Sequence, residues 1–440
     1  MIPEGFREFI TRSLGADEAD RLIEGLAGET PVSVRANPAK ISVEELRAHF
    51  GELAGDGVEW AQEGIYLNGR PSFTLDPLFH CGAYYVQEAS SMYVGQMLRR
   101  MIPDAGTGVR ILDLCAAPGG KATDAASLLG DGDLLVANEV IGSRATILAE
   151  NMARWGFPGT VVTNSDPAAF GKLKGFFDIV IVDAPCSGEG MFRKDPKAVA
   201  EWSEANVELC AARQRRILAD VWPALREGGH IIYSTCTFNR FEDEDNAAWI
   251  ASELGAELLE QRHFLPGRDF GEGFFCALLR KTGDEPHSPA PALSAKRLPS
   301  PADDYLEEGF RPVLKGTLIK AIPDTLSGAI QLLESKLHVI RSGIAVATVK
   351  GRDIIPEADL ALSTAYGRGS IPEVDLDRAT ALKYLSKEPI VLDGMLKGFF
   401  LLTYKNLPLG FVKNLGNRCN NLLPASRRIR MSITDENENL

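Results

Sequence analysis

The sequence has few cysteines, and their spacing lacks the close pairs that mark disulfide frameworks or zinc sites. Seven cysteines occur among 440 residues, and none of them forms a CxxC pair. Disulfide-rich domains and four-cysteine zinc sites show short, paired spacings. We therefore expect reduced thiols, no bound metal and a cytoplasmic protein.

Long apolar runs and an excess of positive charge are also missing. No stretch approaches the ~18 apolar residues that span a bilayer. The first residues, MIPEGFREFITRSLG, include acids and no apolar core, so we expect neither a membrane segment nor a signal peptide. The 47 lysines and arginines are outnumbered by 60 aspartates and glutamates, which gives a net charge of −13. Taken alone, this balance argues against a nucleic-acid partner, because binding phosphates requires clustered cations.

The composition is that of a folded protein with several domains. Hydrophobic residues make up 45% and charged residues 24% of the chain. Since a domain typically has about 150 residues, a chain of 440 residues is expected to contain two or three domains. We predict a mixed α+β extension over 1–105 and a catalytic domain over 106–283. A proline-rich linker over 284–303 precedes an α+β module over 304–440, which includes a hairpin from Gly398 to Asn414.

The catalytic domain alternates short apolar runs with amphipathic helical patterns. The predicted strands are Val109–Leu114, Asp133–Asn138, Gly159–Thr163, Phe177–Asp183, His230–Ser234 and Gly273–Leu279, and the predicted helices lie near 121–129, 143–155, 205–226 and 242–254. This alternation is typical of a doubly wound, Rossmann-like α/β sheet with a largely parallel order.

The turn after the first predicted strand has the features of a cofactor-binding loop. It reads DLCAAPGGK, and its candidate contacts are Cys115, Ala116, Ala117, Pro118, Gly119, Gly120 and Lys121. Small residues at a strand-to-helix turn let a ligand approach the backbone. The glycines do not form GxGxxG, so a pyrophosphate cradle is missing and S-adenosylmethionine fits better than a dinucleotide. Glu139, at the tip of the second strand, is placed for ribose hydroxyls, and Asp166, after the third, for an adenine edge.

Two cysteines follow neighbouring predicted strands. Cys186 comes after the fourth strand and Cys236 ends the fifth. Parallel neighbours lie ~4.8 Å apart, so the two thiols are expected to face each other at the ligand-binding edge. A thiolate that adds to C6 of cytosine makes C5 nucleophilic enough to accept a methyl group. Asp183 is placed to hydrogen-bond near N3 of the ring and stabilise the adduct.

These segments resemble a known family. The runs DLCAAPGGKATD, DIVIVDAPCSGEGMFRKDP and IIYSTCTFNRFEDEDN are similar to those of the Sun-domain RNA cytosine-C5 methyltransferases, over roughly residues 30–281. The resemblance implies a class I S-adenosylmethionine-dependent methyltransferase fold. It also implies that Cys236 is the nucleophile and that Cys186 assists product release. The cofactor-contacting positions would be Cys115 through Lys121, Glu139, Asp166 and Asp183. In DNA cytosine-C5 methyltransferases the nucleophile lies in a Pro-Cys motif, so Cys186 is the competing candidate.

Two segments are candidates for RNA contact. Arg35 and Asn37 match the Arg-x-Asn element that the family carries ahead of its catalytic domain. Residues 413–430 contain five basic side chains and no acid, namely Lys413, Arg418, Arg427, Arg428 and Arg430. This C-terminal region resembles the PUA-like module of bacterial RsmF-type enzymes, which modify small-subunit ribosomal RNA.

The sequence therefore predicts a monomeric enzyme that methylates C5 of cytosine in small-subunit ribosomal RNA. A transfer-RNA cytosine methyltransferase and a non-catalytic RNA-binding ribosome assembly factor remain as alternatives, and a methyltransferase for protein or small molecules would leave the paired thiols unused. A protein with an acidic net charge can still bind RNA if its acids lie away from the basic segment at 413–430. We expect them in stretches such as Glu242–Asp245 and Asp435–Glu438.

Overall fold

The structure is a computed structural model that describes residues 2–102, 104–283 and 300–431. Most of the predicted proline-rich linker, and the acidic segment at 435–438, lie outside the described residues. No helix within the described ranges is both long and apolar enough to cross a membrane.

The N-terminal part is an α+β unit, as predicted. Its helices are α1 (Phe6–Leu14), α2 (Ala16–Leu26), α3 (Val43–Phe50), α4 (Pro77–His80) and α5 (Tyr93–Met101), and its strands are β1 (Val32–Ala36), β2 (Ala54–Val58), β3 (Ala61–Leu67) and β4 (Tyr84–Val86). The strands form one antiparallel sheet in the order β2-β3-β1-β4. Helix α3 begins at a capping box in which Ser42 and Glu45 bond each other's backbone N–H groups.

The catalytic part contains seven strands and six helices. The strands are β5 (Arg110–Asp113), β6 (Leu134–Asn138), β7 (Thr160–Thr163), β8 (Phe177–Asp183), β9 (Leu225–Thr235), β10 (Ala256–Phe264) and β11 (Phe274–Lys281). The helices are α6 (Gly120–Ala126), α7 (Gly142–Trp155), α8 (Pro167–Phe170), α9 (Pro196–Glu201), α10 (Glu204–Val221) and α11 (Glu244–Leu254). Strand β10 has no counterpart in the prediction, because its sequence AELLEQRHF is mostly polar and lacks the apolar run of a buried strand.

The C-terminal part adds two four-stranded sheets. Its strands are β12 (Phe310–Lys315), β13 (Leu318–Pro323), β14 (Val339–Ser342), β15 (Ile344–Lys350), β16 (Asp353–Pro356), β17 (Glu373–Asp375), β18 (Gly398–Tyr404), β19 (Leu407–Asn414) and β20 (Cys419–Asn421), and its helices are α12 (Ser327–Lys336), α13 (Ala358–Leu362) and α14 (Arg378–Leu385). The predicted hairpin is β18–β19. Lys405 and Asn406 close it with φ of 50° and 61°, as a two-residue hairpin turn requires.

The central sheet has eight strands in the order β10-β11-β9-β8-β5-β6-β7-β14. Strands β9, β8, β5, β6 and β7 pair in parallel, and helices cover the sheet, so the doubly wound fold is confirmed. Strand β14 extends the sheet by pairing antiparallel to β7, and Ile330 and Leu333 of α12 pack into the same core as Leu134 and Val161. The first part of the C-terminal region thus packs as part of the catalytic unit.

A second shared core joins the two ends of the chain. Val34 and Leu78 of the N-terminal part pack in one cluster with Leu382 and Tyr404 of the C-terminal part. The N-terminal sheet is thereby held against the C-terminal hairpin on one side and the catalytic unit on the other. This arrangement places β4 beside the cofactor-loop helix α6.

Candidate active site

The predicted cofactor loop closes one side of a small cavity at the carboxyl ends of the parallel strands. The chain leaves β5 at Asp113 and enters α6 at Gly120, and Gly119 adopts a φ of 121° that favours glycine. The cavity has a volume of about 180 Å³. Its lining includes Cys115, Ala116, Ala117, Pro118, Gly120 and Lys121 of the loop together with Asp183 of β8 and Gln87 of the N-terminal part. The structure therefore brings most of the predicted loop residues and Asp183 around one space.

Lys121 and Asp183 form an ion pair inside this cavity. The Lys121 Nζ lies 2.8 Å from the Asp183 carboxylate, which also accepts a hydrogen bond of 2.9 Å from the Ser234 hydroxyl. Burial disfavours the charged amine, but the carboxylates of Asp183 and Asp113 outweigh it and raise the pKa of Lys121 above its ordinary value. Lys121 and Ser234 thus orient the Asp183 carboxylate at the wall of the cavity.

Asp113 is a functional candidate that the sequence argument missed. The residue is fully buried, it lines the same cavity, and neither carboxylate oxygen has a hydrogen-bond partner among the described residues. Burial raises its pKa to about 7, although the charge of Lys121 opposes the shift. A buried, unpartnered carboxyl group needs a donor, and the ammonium group of an amino-acid ligand is such a donor. The signal in the sequence was an acid that closes a buried strand just before the glycine-containing loop.

Glu139 and Asp166 lie at the tips of the neighbouring strands, but neither lines this small cavity. Glu139 is buried, accepts a hydrogen bond of 2.8 Å from the Ile141 N–H, and pairs with Arg144 at 3.3 Å. Arg144 also donates to the Ala117 carbonyl oxygen at 2.8 Å, so Glu139 is connected to the cofactor loop. Asp166 is exposed and caps α8 by accepting the Ala168 N–H. Their predicted contacts with ribose and adenine stay predictions.

The two thiols meet as the parallel-neighbour argument predicts. The Cys186 and Cys236 sulfur atoms lie 3.3 Å apart, because β8 and β9 pair in register up to Asp183 and Ser234. The hydrogen bond with Cys236, followed by burial, raises the pKa of Cys186 well above its ordinary value, so this thiol stays protonated. Gly190 donates its N–H to the Cys236 carbonyl oxygen at 2.7 Å, and a Cβ at that position would lie 2.7 Å from the same oxygen.

Two buried glutamates connect the loops that carry the cysteines. Glu189, from the Cys186 loop, accepts hydrogen bonds from the Phe238 N–H and the Asn239 side chain. Glu242, from the Cys236 loop, accepts hydrogen bonds from the Ser187 N–H at 3.0 Å and from Gln214 and Asn239. Both carboxylates are completely buried. We call Glu189 and Glu242 the carboxylate brace, because each holds the backbone of the opposite loop.

The brace corrects one expectation about charge. The stretch Glu242–Asp245 was predicted to contribute acidic surface, but Glu242 and Asp243 have no exposed area. Asp243 accepts hydrogen bonds from the Thr235 and Thr237 hydroxyls that flank Cys236. These acids are buried because the backbone and side-chain donors of the active-site loops need acceptors.

Removing one member of the brace is expected to destabilise the protein. A Glu242→Ala variant leaves the Ser187 N–H without an acceptor among the described residues and removes one of the two acceptors of the Gln214 and Asn239 amides. We expect it to lower the free energy of unfolding by about 3 kcal/mol. The matched control is Glu253→Ala, which removes an exposed carboxylate from α11 and should change stability by less than about 0.5 kcal/mol. Urea unfolding of both variants measures the difference, and equal stabilities would contradict the role of the brace.

A cluster beside the Cys236 loop contains metal-ligating residue types. Asp243, Glu244 and His263 bring ligand atoms within 4.8 Å of one another. His263 lies 3.2 Å from both the Glu244 carboxylate and the Thr237 carbonyl oxygen. Hydrogen bonding within the protein accounts for this grouping, and the expectation that the protein holds no metal stays a prediction.

Arg35 and Asn37 require a correction, because the structure places both inside the protein. Each is 1% exposed. The Arg35 guanidinium donates to Gln87 at 2.8 Å and to the Thr123 hydroxyl of α6 at 2.7 Å. The Asn37 amide donates to the Gly82 and Trp155 carbonyl oxygens. In this structure they fasten the N-terminal sheet to the catalytic unit and offer no group to RNA.

The basic C-terminal segment divides into paired and unpaired side chains. Arg427 is largely buried between Glu150 and Asp359, and Lys413 pairs with Asp353 at 2.9 Å. Arg427 therefore joins the C-terminal module to α7 of the catalytic unit, and it is not a free cation for RNA. The other three predicted residues are exposed and have no ion pair within the described ranges, namely Arg418, Arg428 and Arg430. RNA contact stays a prediction for these three and for Lys413, whose ion pair with Asp353 lies at the surface.

Family comparisons agree with the three parts of the chain. Residues 103–280 match the family described as 16S rRNA methyltransferase RsmB/F. Residues 2–89 match the N-terminal domain of 16S rRNA methyltransferase RsmF, and residues 371–429 match the methyltransferase RsmF PUA domain. The presence of an N-terminal domain and of a PUA domain is thereby confirmed. The match to the PUA domain covers 371–429 and not the predicted 304–440, whose first part, with α12 and β14, packs with the catalytic sheet.

Individual relatives cover different shares of the chain. Ribosomal RNA small subunit methyltransferase F of Pectobacterium atrosepticum is 38% identical over 61% of this chain, and the match spans 60% of that protein's length. The protein of the same name from Shewanella loihica is 31% identical over 92% of this chain and 90% of its own length. The similarity therefore extends beyond the catalytic motifs to nearly the whole chain.

Solved structures show the same fold. A methyltransferase homolog protein from Pyrococcus horikoshii is 29% identical, with a TM-score of 0.55 over 63% of this chain and 94% of its own. NSun6 from the same organism, solved with SFG, is 22% identical, with a TM-score of 0.56 over 64% of this chain and 99% of its own. Together with the full-length relative, these findings show that the chain belongs to the ribosomal RNA small subunit methyltransferase F family of S-adenosylmethionine-dependent methyltransferases.

Proposed function

We propose that this methyltransferase transfers a methyl group to C5 of a cytosine in small-subunit ribosomal RNA, with Cys236 as the nucleophile. The observation that carries the proposal is the pair of thiols, whose sulfur atoms are 3.3 Å apart. They lie at the carboxyl ends of the parallel strands, as does the cofactor cavity. Asp183 lines that cavity and precedes Cys186 by three residues, so the end of β8 leads from the acid of the cavity directly to one of the thiols. The names of the relatives support ribosomal RNA over transfer RNA as the substrate.

The fit of the cofactor rests on Asp113 and the loop. S-adenosylmethionine, when bound, supplies an electrophilic methyl group on its sulfonium. The unpartnered Asp113 carboxyl group would hold the ammonium of its amino-acid part, and the backbone of Cys115 through Lys121 would surround it. Glu139 and Asp166 are proposed to bind the ribose and the adenine from the tips of β6 and β7.

The protein's own residues perform the covalent steps on the base. The Cys236 thiolate forms a bond to C6, which places an electron pair at C5 for the incoming methyl group. Asp183, oriented by Lys121 and Ser234, hydrogen-bonds near N3 and stabilises the adduct. The C5 proton then passes to solvent water, the C5–C6 double bond re-forms, and the electron pair of the breaking C6–S bond goes to the Cys236 sulfur. The protonated Cys186 thiol donates to the departing Cys236 sulfur and so assists release.

Bisulfite mapping in a strain that lacks the gene tests the substrate assignment. We expect one 5-methylcytosine to disappear from small-subunit ribosomal RNA, and the chain to restore it when supplied again. Loss confined to transfer RNA would favour the transfer-RNA alternative. Complementation by a protein that transfers no labelled methyl group from the cofactor to RNA would favour a non-catalytic assembly factor. Cytoplasmic localisation and a monomeric state are part of the same proposal.

Cofactor binding is expected to weaken as the pH falls below 7. The pKa of Asp113 is raised to about 7, and only its deprotonated form pairs with an ammonium group. Each pH unit below the pKa then lowers the affinity up to tenfold, so S-adenosylmethionine should bind roughly tenfold more weakly at pH 6 than at pH 7.5. Titration calorimetry at both values measures this difference. An Asp113→Asn variant should bind weakly at both, and a wild-type affinity independent of pH would contradict the role of Asp113.

A further inference from the structure

A second and larger cavity lies next to the cofactor loop, and none of the residues assigned so far occupies it. Its volume is about 390 Å³, and no acidic side chain lines it. Two arginines and five aromatic residues form much of its wall, namely Arg70, Arg154, Phe73, Phe79, Tyr84, Tyr85 and Trp155. Aromatic faces together with guanidinium groups are the side chains that bind unpaired nucleotides.

Both arginines of the cavity lie over aromatic rings of its wall. The Arg154 guanidinium lies 4.7 Å from the Phe79 ring centre, and that of Arg70 lies 5.5 Å from the Phe73 ring centre. Within the described residues, neither guanidinium has an ion pair or a side-chain hydrogen bond. Arg154 is half-buried, and burial lowers its pKa. Arg70 is exposed and Arg154 is half-buried, and two guanidinium groups on the wall of one cavity that has no acidic lining form a site for an anion such as phosphate.

The position of the cavity connects it to the reaction. Tyr85 and Val86 line both this cavity and the cofactor cavity. Asn151, also in its wall, donates a hydrogen bond of 2.7 Å to the Pro118 carbonyl oxygen of the cofactor loop. A ligand held here therefore lies one side chain away from the cofactor space.

We propose that this cavity binds a nucleotide of the RNA substrate that flanks the target cytosine, with its phosphate on Arg70 and Arg154 and its base against the aromatic wall. The inference rests on the proposed function, and it adds a substrate-binding site outside the thiol centre. A neighbouring nucleotide that is taken out of its stack would expose the target base and fix its register. The N-terminal part, which supplies Arg70 and most of the aromatic residues, then acts in substrate binding although Arg35 and Asn37 are buried.

A charge-removing double variant, Arg70→Gln with Arg154→Gln, tests the inference on the full-length protein. Both arginines are proposed to contact the same phosphate of a single strand, so the double variant should lower the slope of log Kd against log salt by about 0.7. We expect the KM for small-subunit RNA to rise at least about tenfold at 0.15 M salt. The kcat and the affinity for S-adenosylmethionine should stay within about twofold, since neither arginine lines the cofactor cavity.

Lys174→Gln is the matched control. Lys174 is exposed in the loop before the amino end of β8, whereas the thiols lie at the carboxyl ends of the strands. Its replacement therefore changes the net charge without touching the cavity. The control should show wild-type KM and salt slope. An Arg70→Gln/Arg154→Gln variant that matches it in both would overturn the inference, while methylation by the wild-type protein would leave the proposed function intact. A wild-type protein that transfers no methyl group to RNA would overturn both.

Discussion

A Cys236→Ala variant is expected to transfer no measurable methyl group to RNA, with a loss of roughly four orders of magnitude or more in kcat. Without the thiolate, C5 of cytosine is too weak a nucleophile, and removal of a covalent nucleophile costs about this much in other enzymes. Incorporation of tritium from labelled S-adenosylmethionine into small-subunit RNA measures the loss. The fold should be unaffected, because the Cys236 side chain makes its hydrogen bond only with Cys186 among the described residues.

The matched control for this variant is Cys419→Ala. Cys419 is a half-buried thiol in β20 of the C-terminal module, so its loss removes a cysteine without reaching the site. The control should retain wild-type transfer. Transfer by Cys236→Ala within about tenfold of wild type would contradict the assignment of the nucleophile.

A Cys186→Ser variant is expected to accumulate a covalent protein–RNA complex in the presence of cofactor and unmodified RNA. Cys236 remains available to attack C6, but the protonated thiol that faces its departing sulfur is gone. We expect multiple turnover to fall roughly 10²–10³-fold, as for loss of an acid–base group, while the first turnover is retained. Denaturing gel electrophoresis detects the slowly migrating complex. Wild-type turnover with no accumulated complex would show that Cys186 has no part in release.

The positions of the two thiols follow from local sequence patterns. Each cysteine follows a short apolar run, and two parallel runs in succession bring their ends together, which is what β8 and β9 do. The cofactor loop was also predictable, because small residues between a strand and a helix have few other uses. The hairpin predicted from Gly398 to Asn414 is β18–β19 in the structure.

The remaining features depend on contacts between distant segments. Glu242 is buried because it accepts a hydrogen bond from the Ser187 N–H, 55 residues away in the sequence. Nothing in the sequence around Glu242 distinguishes it from an acid at the surface. Arg35 matches the Arg-x-Asn element of the family. Only the packing of α6 against β1 shows that its guanidinium donates a hydrogen bond to Thr123 inside the protein. Strand β14 joins β7 across more than 170 residues, which no local pattern predicts.

Several of the acids that make the net charge negative are buried near the active site. Glu189, Glu242 and Asp243 contribute to the −13, but all three are buried around the thiols. Burial raises the pKa of Glu189 to about 7 and that of Asp243 well above its ordinary value, which reduces their charge. The acids near the reaction therefore do little to repel RNA.

The most direct test of the account is to identify the residue that becomes attached to RNA in the wild-type protein. RNA that contains 5-fluorocytosine stalls the reaction with the nucleophile still bound, because fluorine cannot leave C5 as a proton does. The trapped complex is digested with protease and nuclease, and the modified peptide is sequenced by mass spectrometry. We expect a single nucleotide adduct on Cys236. An adduct on Cys186 would contradict this assignment and make the Pro-Cys cysteine the nucleophile.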